Sequence, residues 1–169
     1  MNSCDFAVLI VRLALGGMLA AHGYHKIFLG GGLVGNGRWF EQLGMRPGWL
    51  HVRFAAASEI AAGVAMAAGL FTAAAAAVFV ALMLVAFWTV HRRNGFFIMT
   101  SGWEYNLLIA VTAVGIAGLG AGRLSIERVL FGHNVIDGWV GIVVAAGLGI
   151  AGGAAQLVLF YRPARMVAA

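Results

Sequence analysis

The chain has 169 residues, 62% of them hydrophobic and only 10% charged, against about a quarter charged in an ordinary soluble domain. That balance excludes a soluble enzyme, a disordered chain and a nucleic-acid-binding domain, and the net charge of +5 is spread over 11 Lys and Arg that form no basic run. The one cysteine, Cys4, excludes an internal disulfide, a CxxC redox pair and a cysteine-built metal centre.

Five apolar stretches are long enough to cross a hydrocarbon core: Phe6–Phe28, Val52–Leu70, Thr72–Val90, Trp103–Leu119 and Val135–Phe160. They predict an all-α polytopic membrane helix bundle. No basic residue precedes Arg12 in the first stretch, so it reads as a retained span and not as a signal peptide. After it comes the glycine-rich segment Gly30–Gly37, then Arg38-Trp39-Phe40-Glu41-Gln42-Leu43. A short interfacial helix is expected here, capped by Asn36 and ended by Gly44 and Pro47. Only the Gly69–Thr72 corner divides the second and third stretches, which predicts a tight helical hairpin. The last stretch contains Gly147, Gly149, Gly152 and Gly153; glycines weaken an isolated helix but let membrane helices approach closely.

Let side A be the membrane face at the N-terminus and side B the opposite face. Five crossings place Arg38, Arg46, Arg53, Arg92, Arg93, Arg162 and Arg165 on side B. Arg123 and Arg128 fall on side A, with Arg12 snorkelling toward it. By the positive-inside rule side B is then cytoplasmic.

Ionisable groups within spans are costly and need a partner or water. His22 and Lys26 are one turn apart on one helix face, and Arg12 lies within about 80° of both at about 100° per residue. Glu59 stands among Ala55, Ala56, Ala57, Ala61 and Ala62, where an unpaired carboxylate must protonate or find a cation. Connectivity puts His22, Lys26, Glu59, His91 and Glu104 at similar depth on side B, and one buried polar network is expected from them. The alternative is that Lys26, His91 and Glu104 are interfacial anchors. His22, His25 and His91 do not make a strong metal set, no haem pair is expected, and Gly30-Gly31-Gly32 lacks the Lys-Ser/Thr ending of a phosphate loop.

At these residues the chain resembles the DoxX/DoxD family of small bacterial membrane proteins. The matching pieces are RLALG (Arg12–Gly16), HGYHKIF (His22–Phe28), SEIAAG (Ser58–Gly63), GLFT (Gly69–Thr72), HRRNGFF (His91–Phe97), GWEY (Gly102–Tyr105) and GAGRLSIER (Gly120–Arg128), in order over about residues 6–130. The resemblance implies a four-helix membrane domain over residues 1–130, to which residues 131–169 add a further transmembrane segment and a short tail. Relatives that end in a basic tail after the fourth helix favour a cytoplasmic N-terminus, opposite to the charge count, so orientation stays open.

The family is functionally mixed, and its resemblance implies architecture more than chemistry. One branch looks like the membrane subunit of a thiosulfate–quinone oxidoreductase, others belong to redox homeostasis complexes, and distant relatives resemble chaperones or cargo receptors. The leading expectation is a bacterial inner-membrane subunit that anchors a protein partner and contacts quinone through His22, Lys26, Glu59, His91 and Glu104, with the seam between the first two spans as the tail's path. A scaffold or chaperone without catalysis and a proton-coupled small-solute carrier are the alternatives. The partners expected are the bilayer and other proteins, not nucleic acid.

Overall fold

A computed structural model describes residues 2–163. Its helices are α1 (Ser3–Phe28), α2 (Gly32–Gln42), α3 (Gly48–Ala68), α4 (Thr72–Ala86), α5 (Glu104–Leu119), α6 (Ile126–Phe131) and α7 (Gly138–Phe160). A π-helical stretch, Phe87–His91, continues α4. Four helical segments are long and apolar enough to cross a membrane: Ser3–Phe28, Gly48–Ala68, Thr72–His91 and Gly138–Phe160. The glycine-rich last stretch is thus one unbroken helix of 23 residues. The stretch expected at Trp103–Leu119 forms α5, whose 16 residues span about 24 Å at 1.5 Å each. Arg165 and the rest of the tail lie outside the described residues.

Local chemistry sets the helix ends. Asn2 and Asp5 form a reciprocal capping box at the start of α1, each side chain accepting from the other's backbone N–H at 3.0 Å. Asn36 does not cap α2 as expected, because α2 already begins at Gly32. Its amide instead donates to the carbonyls of Lys26, Leu29 and Gly32, satisfying the end of α1 and fixing the turn into α2.

The long helices form two layers, α1–α3 with the short α2 beside them, and α4 with α5 and α7. The α1–α3 seam is glycine-built. A Cβ on Gly16 or Gly63 would strike the backbone of the facing helix, and one on Gly23 would strike Ala56. Gly149 and Gly153 bring α7 equally close to Ala77, Val80 and Ala81 of α4.

Side A is the closed end. The buried core unites Met66 and Ala62 of α3, Ala73, Ala76 and Phe79 of α4, Ala113 and Ile116 of α5, and Ala145 of α7. The segment around α6 folds over the α3–α4 corner there. Glu127, 1% exposed, accepts from the backbone N–H and hydroxyl of Thr72 and from the N–H of Val135, while its own N–H donates to Gly69. Arg12 does not snorkel to the interface: it is wholly buried, with Nη2 donating to the Leu124 carbonyl. Its guanidinium lies over Gly69, where no side chain would fit, so the corner holds the cation inside the bundle.

Candidate functional site

Toward side B the two layers diverge around a cavity of about 880 Å³. Its lining comes from the side B halves of α1, α3, α4, α5 and α7, with Trp39 and Phe40 of α2 and Leu43 just after it covering one face. The walls are mainly apolar, as in Met18, Leu50, Val78 and Leu82, and the polar groups stand at separate stations.

The charged station is Lys26 with Glu59. The Lys26 ammonium donates to both Glu59 carboxylate oxygens, at 2.7 and 2.8 Å, across the α1–α3 seam. Glu59 is buried and Lys26 half-buried, so the pair is shielded but borders the cavity. His22, one turn before Lys26, also lines the cavity and presents an exposed imidazole to it. Ser58 adds a hydroxyl, which donates to the Phe54 carbonyl.

His91 lines the cavity from the π-helical stretch, and its Nδ1 is 2.7 Å from the Ser101 carbonyl. Glu104 is set apart from the other four expected residues. At the first turn of α5 it accepts the Ile98 backbone N–H at 3.0 Å and stabilises the loop before the helix. Of the expected network, the structure brings Lys26 and Glu59 into contact, places His22 and His91 on the same cavity, and leaves Glu104 outside its lining.

Two lining groups escaped the sequence reading. His51 of α3 is 3% exposed; its Nδ1 is 3.4 Å from the Gln156 amide of α7 and its ring packs edge-on against Phe160. An amide N–H donated to Nδ1 leaves Nε2 protonated, ready to donate to the Arg46 carbonyl 3.3 Å away. His51, Ala55 and Ser58 share a helix face by spacing, which is the signal that would have found His51. Nothing in the spacing pairs it with Gln156. Tyr105 of α5 is the other, its hydroxyl 3.2 Å from the Met18 sulfur of α1.

The seam between α1 and α3, the expected path for a tail, is closely packed, with Gly16 against Gly63 toward side A and Gly23 against Ala56 at the depth of the cavity. Among the described residues no group of three His, Cys, Asp or Glu side chains converges as a metal-binding set. What the cavity offers is a large apolar volume, hydrogen-bond donors and acceptors at fixed places, and a cation already matched by its anion.

A protein-family model described as DoxX matches residues 7–92, more than half of the chain, which takes in α2, α3, α4 and nearly all of α1. No curated protein and no solved structure matches the chain.

Proposed function

Because this chain belongs to the DoxX family, we propose that it is a bacterial inner-membrane subunit of a redox-related complex, one that anchors a protein partner and holds a quinone in the side B cavity. The observation that carries this reading is the cavity itself: about 880 Å³ of mainly apolar space with His22 and the Lys26–Glu59 pair at one station. An isoprenoid quinone needs an apolar channel for its tail and hydrogen-bonding groups for its carbonyl oxygens. The lining fits both needs. A bound quinone would supply the electron- and proton-accepting couple. The chain's own part is to orient the headgroup, with His22 as donor and Lys26 held in place by Glu59, and to exclude water with the α2 aromatic face.

The test is binding of decylubiquinone to the intact protein in nanodiscs, compared with Glu59→Gln and His22→Phe variants that still fold. Weakened binding in both variants supports a headgroup station at these residues. Unchanged binding in both removes them from it. A second reading, a non-catalytic scaffold, is favoured by one observation: Lys26 and Glu59 satisfy each other and have no need of a ligand. Absence of binding by the intact protein selects that reading.

A further inference from the structure

The two flanks of the cavity are closed in unlike ways. On the α3–α7 flank the backbone is stitched. Met45 and Tyr161 form an antiparallel bridge, Arg46 N–H donates to the Phe160 carbonyl at 3.2 Å, and Arg162 N–H donates to the Gly44 carbonyl at 2.6 Å. His51, Gln156 and Phe160 fill the space beneath that stitch. Helices meet sparsely on both flanks, but on the α1–α5 flank no backbone bond joins them, and the polar contact bridging them among the described residues is the Tyr105 hydroxyl on the Met18 sulfur. A thioether is a weak acceptor and methionine a flexible side chain, so this closure is far easier to open than the opposite one. Tyr105 is 46% exposed and His22 is exposed just beyond Met18, so the contact stands at the boundary between cavity and surroundings.

Charge narrows what can pass. Among the described residues that line the cavity, Lys26 and Glu59 are the only Lys, Arg, Asp or Glu side chains, and they cancel. The described lining thus offers no Lys or Arg free to receive a carboxylate or phosphate. Moving an uncompensated anion into such a space is strongly unfavourable.

We propose that the α1–α5 seam is a lateral portal, with Tyr105 and Met18 as its gate, and that it admits an uncharged amphiphile directly from the bilayer while excluding anionic lipids. The proposal rests on the ligand-binding reading of the cavity and adds to it a route and a charge class. Tyr105 and Met18 are specificity and access residues; neither is placed at the headgroup station.

The experiment replaces Cys4 by serine and introduces Met18→Cys with Tyr105→Cys, joined by a short reducible thiol crosslinker. Uptake of decylubiquinone into protein in nanodiscs is followed by quenching of tryptophan fluorescence, since Trp39 lines the cavity. Linking should slow uptake at least tenfold, and reduction should restore it. The same linker between Arg46→Cys and Arg162→Cys, on the stitched flank, should leave the rate unchanged. Uptake at the unlinked rate when residues 18 and 105 are joined, or equal slowing by both links, overturns the portal. Oleate binding as tightly as decylubiquinone overturns the charge class. Where the cysteine pair does not fold, Tyr105→Phe alone removes the hydroxyl–sulfur contact and should speed release several-fold; an unchanged release rate overturns the gate. No binding by the unlinked protein defeats the ligand reading itself, and the portal with it.

Discussion

Lys26 and Glu59 are joined by two short charge-assisted hydrogen bonds across a seam that is otherwise glycine and alanine. The pair ties the end of α1 to the middle of α3 and defines the inner wall of the cavity. Neither charge could be left alone at this depth, because removing one strands the other in a low-dielectric setting.

Glu59→Ala should therefore destabilise the bundle by about 3–5 kcal/mol. Lys26→Met combined with it should recover part of that loss. Thermal melting in detergent of the two single variants and the double variant checks this. Additive losses would show that the two side chains are not coupled.

Gly69 should resist any side chain. Its φ is +65° and the Arg12 guanidinium occupies the place of a Cβ. Gly69→Ala is expected to cost at least about 1–2 kcal/mol from backbone strain alone, before Arg12 is displaced. Gly17 of the same bundle has nothing within 4 Å of its Cβ position, so Gly17→Ala should be neutral or stabilising by up to about 1 kcal/mol. Melting of both variants in one detergent decides the contrast.

Glu127→Ala removes the acceptor for both donors of buried Thr72. An unsatisfied buried donor costs about 1–3 kcal/mol, so the loss should rival that of Glu59→Ala. Glu127→Gln keeps one carbonyl oxygen and should cost less. Amide hydrogen exchange at Thr72 supplies a local readout, with faster exchange expected in the alanine variant.

The helix directions fix a topology that accessibility labelling can read. Cysteines placed at Gly31 and Gly95 should label from one side of the membrane, and a cysteine at Gly132 from the other. All three are exposed at turns, where a side chain at positive φ costs about 1–2 kcal/mol, and replacing Cys4 by serine leaves each introduced thiol alone. Labelling of Gly132 from the same side as Gly95 would show that α5 does not cross.

The apolar stretches and the corner at Gly69–Thr72 were legible because helical membrane spans follow from composition and length alone. That Glu59 needs a cation at its own depth was legible for a related reason, since adjacent antiparallel spans leave few choices of depth; that Lys26 alone of the expected network reaches it was not. Contacts that depend on the mutual rotation of helices were not. His51 meets Gln156 across more than 100 residues, and Glu127 reaches Thr72 across 55. No periodicity within either helix encodes its partner. Arg12 was misplaced because a long cation near a span end usually reaches water, whereas here a glycine corner leaves it a berth inside. Asn36 was misplaced because α2 begins four residues before it, and its amide bridges the end of α1 to the first turn of α2.

The stitch between Met45 and Tyr161 also bears on how the protein is made. Gly44, Met45 and Arg46, between α2 and α3, acquire their partners only when the far end of α7 has left the ribosome and entered the membrane. Until then the α3–α7 side of the cavity is missing, and the α4 surface that receives Gly149 and Gly153 has only lipid against it. The pocket thus matures only once α7 has been made, and a chain interrupted before α7 would have the family-matched helices without an enclosed chamber.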